Sequence, residues 1–554
     1  MKAPNLFLSG GLIRYCWGIL PALITLAWPC ICDVPCHAEV YHIDVIRGSE
    51  DFPGTADRPF KTLKQASRSL KPGDKAMIHP GIYHEQIMGG VSGTAEAPIV
   101  YEGVDRDKVI LRGSMFLDDW RQKGNSWVRW GLKPVTLVNS FVLVDEKHFL
   151  KRAESPVNLP PDSFYVDPLG IYMIRLINDA NPNTDHKVEV YEYDFAFNSG
   201  NRWGGTAKSW ITLRNMTIEK YGAYGISSEV TKPNENAHWL LENLTIRLNH
   251  QAGIFACGDD WVVRNCSFLK NLVHGCQING ARVRFENNLC SENEMFGSSG
   301  YGGAGLLIGP DKSANSCVVR SNNFSNNGHP DTGYGCGVYL EGRSYGNTIE
   351  NNLVSGNSHC GIGFFGSSGN LVINNVISNT GYDRRQGNTG AFVVGHSYEG
   401  APTQSKNNLV AHNTVWKCPT PLKVLQPSET VAPQEQNRFV NNVFADYLFI
   451  TPFPKGFGVE TDNNAWFQAR SEFQFNRDSL KGMLDENVGA TDEIKRFKGK
   501  TPGFVAPEKG DFRIKPDSPL LDAGVAIKEV NVDRDGLKRP CGKAHDIGAY
   551  ELCK

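Results

Sequence analysis

Several side chains able to do acid–base chemistry fall at repeating distances from short apolar runs opened by glycine. "GIFACGDD", "GLLIGPD" and "GVYLEGR" end on Asp259, on Asp311, and on Glu341 with Arg343, while "GAFVVGH" ends on His396. Two carboxyl groups facing one bond can cleave it, one protonating the leaving oxygen while the other attacks or activates water. Phe255, Tyr339 and Phe365 alternate with these acids. Aromatic faces beside carboxylates suit a sugar, since rings stack on its C–H bonds while acids reach its hydroxyls. Asp311 and Glu341 are therefore the candidate catalytic pair, with Arg343 holding a carboxylate or a substrate acid group. Asp259, Phe255, Tyr339, Phe365 and His396 are candidate substrate-binding residues. Asp311 and Glu341 stand 30 residues apart, so this reading requires a fold that stacks distant segments.

The spacing predicts such a fold. Asn215, Asn243, Asn265, Asn288, Asn323, Asn352, Asn375, Asn413 and Asn442 each lead into a strand-like run, and their separations have a floor of 22 or 23 residues. A period of that length means a solenoid. The runs alternate with period two, are rich in Val, Ile and Phe, and lack the Leu frame of leucine-rich repeats, which predicts a parallel β-helix with about three strands per coil. Each strand then lies roughly 4.8 Å above its equivalent in the coil below. Stacked Asn side chains form an amide ladder, so the Asn-x-Ser/Thr triplets at 215, 243, 265 and 323 read as ladder positions rather than glycan acceptors. Gly225, Gly253, Gly275, Gly305, Gly337, Gly361 and Gly390 form a second column. Residues one and three after each point inward, and residues two and four outward. On that register Asp311 and Glu341 come from adjacent coils, with Cα atoms roughly 8 Å apart. Cys336 and Cys360, each one place before the glycine, are within disulfide reach or stack as thiols, and Cys276 reads as core.

Residues 1–38 read as a signal peptide. Lys2 and Arg14 precede the end of the apolar run, and Cys36 and Ala38 sit where a peptidase cleaves, predicting export to the periplasm or beyond and no membrane association afterwards. Residues 39–114 read as an amphipathic cap helix, with Phe60, Leu63, Ala66 and Leu70 on one face, followed by the first coils. Residues 115–205 break the period and read as an inserted module of β-hairpins. Residues 206–446 are the β-helix, and 447–554 its last coils and closing segment. The balance of 57 Lys+Arg against 59 Asp+Glu gives no electrostatic footing for nucleic acid. No Cys/His spacing marks a structural metal. "GIGFFG" at 361–366 has no helix behind it, and "NVDRDG" at 531–536 meets Gly542 where a calcium loop needs Glu, so neither implies a cofactor.

"YHIDVIRGSEDFPGTADRPFKTLKQASRSLKPGDKAMIHPGIYHEQI" resembles the opening of secreted bacterial right-handed parallel β-helix proteins of the pectate-lyase-like kind. "DFRIKPDSPLLDAG" with "DIGAYE" resembles their closing segment, and the insert with "FYVDPLGIYMIRL" is similar to one in some β-helix glycoside hydrolases. The resemblance implies an all-β, right-handed parallel β-helix with an N-terminal helical cap, and a polysaccharide or oligosaccharide lying along one sheet. Its members include glycosidases, polysaccharide lyases and uronate epimerases. A hydrolase using Asp311 and Glu341 needs no cofactor. A lyase would place calcium on Asp259, Asp311 and Glu341 against a uronate, with Arg343 or Lys423 as base. Too few Arg and Lys stand in the outward columns to favour an anionic polymer. A carbohydrate-binding or surface β-helix would show the same columns without a working acid pair.

Overall fold

The computed structural model describes residues 38–553 apart from 131–139, 201–204, 230–234, 295–302, 329–334, 383–388, 398–402, 426–431, 449–456, 469–492 and 494–495. The expected signal peptide and much of the long coil insertions lie outside the described residues. Among the described residues, three parallel sheets of 13, 12 and 9 strands carry the fold. Val262–Arg264, Ser267–Leu269 and His274–Ile278 make one coil, a strand in each sheet, and Arg284–Glu286, Leu289–Ser291 and Ala304–Ile308 make the next. Val263 pairs with Phe285, Phe268 with Cys290 and Cys276 with Leu306. All six side chains are buried in one continuous core. This is the parallel β-helix that the period predicts, and Cys276 is core as expected.

The Asn column, however, is two columns. Asn215, Asn243 and Asn265 hold the left-handed turn residue, with φ of 59°, 51° and 56°, and their side chains are half-buried or exposed. The buried ladder lies one place later in the coil. From Asn322 through Asn352, Asn375, Asn413 and Asn442 to Asn464, each Nδ2 donates to the next Oδ1 at 2.9–3.0 Å. Asn288 joins it through its backbone N–H, which donates to Asn322 Oδ1 at 2.8 Å. Asn265 and Asn323 are exposed and stand outside the buried ladder, whereas Asn243 Nδ2 donates to Asn215 Oδ1 at 2.8 Å, a short amide pair on the turn column. Paired asparagines such as Asn351-Asn352 and Asn374-Asn375 merge the two columns when only spacing is counted. The other two corners have ladders too, Asn249–Asn271–Asn293–Asn327–Asn357 at 2.8–3.0 Å and Asn347–Asn370–Asn408–Asn437 at 2.7–3.0 Å. A corner interrupts the backbone ladder, and the stacked amides satisfy the N–H and C=O groups left there.

The glycine column holds from Gly225 to Gly361 and then slips by one. Cys360 pairs with Gly390 and Ile362 with Phe392, so Phe392 and Val394 enter the core while Val393 faces out. Cys336 and Cys360 pair in register and form a disulfide, with Cα atoms 4.5 Å apart.

Leu63–Ser69 is the cap helix, and Thr62 closes a capping box with Gln65. Leu63, Ala66 and Leu70 are buried in the first coils, as is Phe60 just before the helix. Ser114–Leu117, Val142–Val144, His148–Phe149 and Val188–Tyr191 form an antiparallel sheet outside the coils, and strands between 121 and 175 form a second, mixed sheet. Both hairpins expected in the insert are present. A buried ion network roots it: Lys220 Nζ donates to Glu189 Oε1 at 2.8 Å, Ser114 Oγ to Glu189 Oε2 at 2.6 Å, and Arg112 pairs with Glu219 at 2.6 Å. At the closing end, residues 520–553 fold back along the coils. Gly548 N–H donates to Asn441 O at 2.9 Å and Asn374 Nδ2 to Val532 O at 2.9 Å.

Candidate functional site

The 9-stranded sheet presents its outer face in register columns. Ser227, Phe255, Gln277, Leu307, Tyr339 and Gly363 follow one another in successive coils, then Val393 and Lys423. Glu341 pairs with Phe365 in the column two residues on. The face divides in two. Its C-terminal half is an apolar cluster outside the main core, made of Ala304, Leu307, Tyr339, Phe365, Val393, Leu425 and the Cys336–Cys360 bridge. Its N-terminal half is polar.

The three aromatics expected to lie open are buried. Tyr339 and Phe365 stack with ring centroids 4.3 Å apart, and Phe365 is 1% exposed. Gly363 makes this possible, because a Cβ there would meet the Phe365 ring. Phe255 is buried against Tyr224, centroid to centroid 5.0 Å. Alternation places these rings outside the core correctly, but a second apolar layer covers them.

The acids part company as well. Asp311 is exposed and follows Ala304–Ile308. Its carboxylate folds back on the preceding coil, where Gln277 Nε2 donates to Oδ2 at 2.7 Å and Asn279 Nδ2 at 3.3 Å. Asn279 Oδ1 accepts the Asp311 N–H at 3.1 Å, and Arg343 donates to the Asp311 carbonyl. Arg343, expected to hold a carboxylate or a substrate acid group, meets the Asp311 main chain here. Glu341 is 4% exposed and accepts from Ser397 Oγ at 2.5 Å, a partner from a later coil. The two carboxylates are engaged in opposite directions along the axis. Asp259 accepts from the Ala281 N–H at 2.9 Å and pairs with Arg282 at 3.1 Å. Asp259 and Asp311 thus take separate partners. His396 is half-buried in an antiparallel bridge to Gln404, and burial lowers its pKa. Among the described residues no three His, Cys, Asp or Glu side chains are grouped to hold a metal ion.

Glu229 is the acid that sequence reasoning passed over. It is half-buried, two residues past Ser227 in the outward column that continues through Cys257 and Asn279. Its place in that column was the available signal. Burial pushes the Cys257 thiol up to about 12, and the charges of Lys312, Asp311 and Glu229 all act on that thiol. In the register of the column Cys257 lies between Glu229 and Asn279, the residue that holds Asp311. Glu229 and Asn279 are two coils apart, roughly 10 Å at strand spacing, and the Asp311 carboxylate reaches back to Asn279 from the far side. His274, on the same face, accepts the Ala304 N–H at Nδ1, 3.2 Å away, and burial pushes its imidazole down to about 4.

A family model described as the right-handed β-helix region matches residues 231–398 and 304–482. The solved structure of XylC in complex with xylose aligns over 93% of this chain and 98% of its own, with a TM-score of 0.61 and 14% identity. This chain is a right-handed parallel β-helix protein. At that identity the likeness is one of fold. A glycoside hydrolase aligns over 79% of this β-helix chain and 98% of its own, at 11% identity and a TM-score of 0.45. Among curated sequences, the uncharacterized protein YwoF of Bacillus subtilis (strain 168) is 36% identical over 66 residues. The β-helix chain covers 14% of that relative's length.

Proposed function

We propose that this β-helix is an exported glycoside hydrolase acting on a neutral polysaccharide or oligosaccharide, with Asp311 and Glu229 as its acid pair. The observation that carries this reading is Asp311 itself, a solvent-exposed carboxylate held in one orientation by amide donors from the coil beneath. Asp311 attacks the anomeric carbon or activates water, and Glu229, across the Cys257 position, protonates the leaving oxygen. Arg343 positions the Asp311 turn from the next coil. Glu341, buried on Ser397, shapes the apolar half of the face rather than reacting. The xylose bound to XylC supports a neutral sugar as the ligand class, and the signal-like residues 1–38 support export.

Purified protein is incubated with neutral and uronic polysaccharides, reading reducing-sugar release and the ultraviolet absorbance of unsaturated uronates together. Reducing sugar from a neutral polymer, lost in both Asp311→Asn and Glu229→Gln, supports the reading. Turnover surviving in both variants sinks it. Lys423 favours a second reading, β-elimination from a uronate, because it stands in the outward column and burial lowers its pKa toward that of a base. Unsaturated product, stimulated by calcium and lost in Lys423→Met, would establish that reading instead. Binding to a polysaccharide without turnover would establish a carbohydrate-binding β-helix.

A further inference from the structure

The insert carries a cavity away from the acid pair. Its volume is about 720 Å³, and its wall includes Asp118, Asp119, Arg121, Arg129 and Trp130. That size lies within the range of about 300 to 1,000 Å³ usual for small-molecule sites. The floor is built rather than incidental. Trp120 is 3% exposed, its Nε1 donates to Leu117 O at 3.0 Å, and Asn183 clamps its backbone by accepting the N–H at 2.8 Å and donating to the carbonyl at 2.9 Å. This clamp holds the adjoining turn, in which Asp119 takes a left-handed φ of 57°. Arg129 is fixed as well, its Nε donating to Asp118 O at 2.6 Å and its Nη1 to Trp130 O at 3.3 Å.

On this fixed wall Trp130 is 60% exposed. The Asp118 and Asp119 carboxylates and the Arg121 guanidinium take no side-chain hydrogen bond or ion pair among the described residues. An indole left in water beside uncommitted acids and the uncommitted Arg121 guanidinium matches the two surfaces of a pyranose. Its C–H face stacks on an aromatic ring, and its hydroxyls bond charged donors and acceptors. Two acids against two guanidinium groups leave the wall near neutrality, which favours an uncharged sugar over a uronate.

We infer that the insert holds a second, non-catalytic binding site for a neutral saccharide, with Trp130 as its stacking platform and Asp118, Asp119 and Arg121 as its polar contacts. This inference stands apart from the acid pair. The test is electrophoresis of the full chain through gels containing xylan, β-glucan, galactomannan or polygalacturonate. At least one neutral polymer is expected to retard the parent and Asp311→Asn equally. Trp130→Ala weakens that retardation about tenfold, Asp119→Ala weakens it less, and Trp130→Phe restores part of it. Unchanged thermal melting keeps the comparison clean, and Trp130 is exposed enough to be replaced without loss of fold. Three outcomes overturn the inference: equal retardation of parent and Trp130→Ala, no retardation by any neutral polymer, or retardation by polygalacturonate alone. Failure of the acid-pair reading shows separately, as turnover that survives Asp311→Asn.

Discussion

Gln277 and Asn279 place two amide N–H groups on one oxygen of Asp311, so the catalytic reading can be dissected residue by residue. Asp311→Asn keeps the shape but removes the charge, and is expected to lower kcat by about a thousandfold or more. Gln277→Leu leaves the carboxylate present but loosely held, and is expected to lower kcat about tenfold with little change in KM. Glu341→Gln is expected to keep most of the turnover, since that carboxylate is buried on Ser397. His274 sets a pH dependence. Its folded pKa of about 4 lies below the ordinary 6.5, so as pH falls the unfolded chain takes the proton first. Stability is complete above pH 6.5 and is lost progressively down to pH 4, in all by roughly 3 kcal/mol. His274→Gln is expected to flatten that part of a melting-temperature profile.

Strands and corners decide what the outward residues become. At the corners, Asn352→Ala removes a buried amide serving neighbours on both sides, and is expected to cost about 1–3 kcal/mol by denaturant titration. Asn265→Ala, at the exposed left-handed turn position, is expected to cost about 1 kcal/mol through backbone strain. Removing Lys220 leaves Glu189 buried without its cation, so Lys220→Met is expected to cost about 3–5 kcal/mol and to loosen the insert first by hydrogen exchange. The coils, the inward columns as far as Gly361, the Cys336–Cys360 neighbourhood and the hairpins were legible in the sequence, because period and alternation are consequences of strand stacking. What alternation does not carry is the environment beyond the sheet. It marks Tyr339 and Phe365 as outward without revealing the second apolar layer, and it marks Glu341 as outward without revealing Ser397 above it. Glu229 was legible as a column member. The pairing with Asp311 proposed above was not, because it depends on the backward fold of the Asp311 side chain, which spacing does not encode.

For the molecule as a whole, one register position of the 13-stranded sheet reads Glu102, Arg214, Glu242, Arg264, Glu286, Arg320 and Glu350 in successive coils. Arg214 bonds Glu102 at 2.8 Å, Arg264 bonds Glu242 at 2.6 Å and Arg320 bonds Glu286 at 2.7 Å. Such half-exposed pairs add little stability singly, but a coil lost or doubled would set like charge on like. Beyond Glu350 the position becomes Ile373 and Ala411, packed against Val530 of the closing segment. There Arg539 and Glu551 pair at 2.6 Å with both side chains fully buried. Glu551→Gln is expected to cost about 3–5 kcal/mol. Because solenoid stability is a sum over neighbouring coils, the loss is expected as early hydrogen exchange in residues 371–447 with the first coils unchanged.

The closing segment also imposes an order of events. A polypeptide leaves the ribosome from its N-terminus, so the earliest coils can wind while the rest is still being made. His412 Nδ1 bonds Asp546 O at 3.1 Å and Asn441 Nδ2 bonds Val525 O at 2.7 Å. Those two contacts must wait for the last stretch to be synthesised. Maturation therefore finishes as a zipper whose slider arrives last, and a nascent chain stalled short of its end would display that open seam to whatever quality control is at hand.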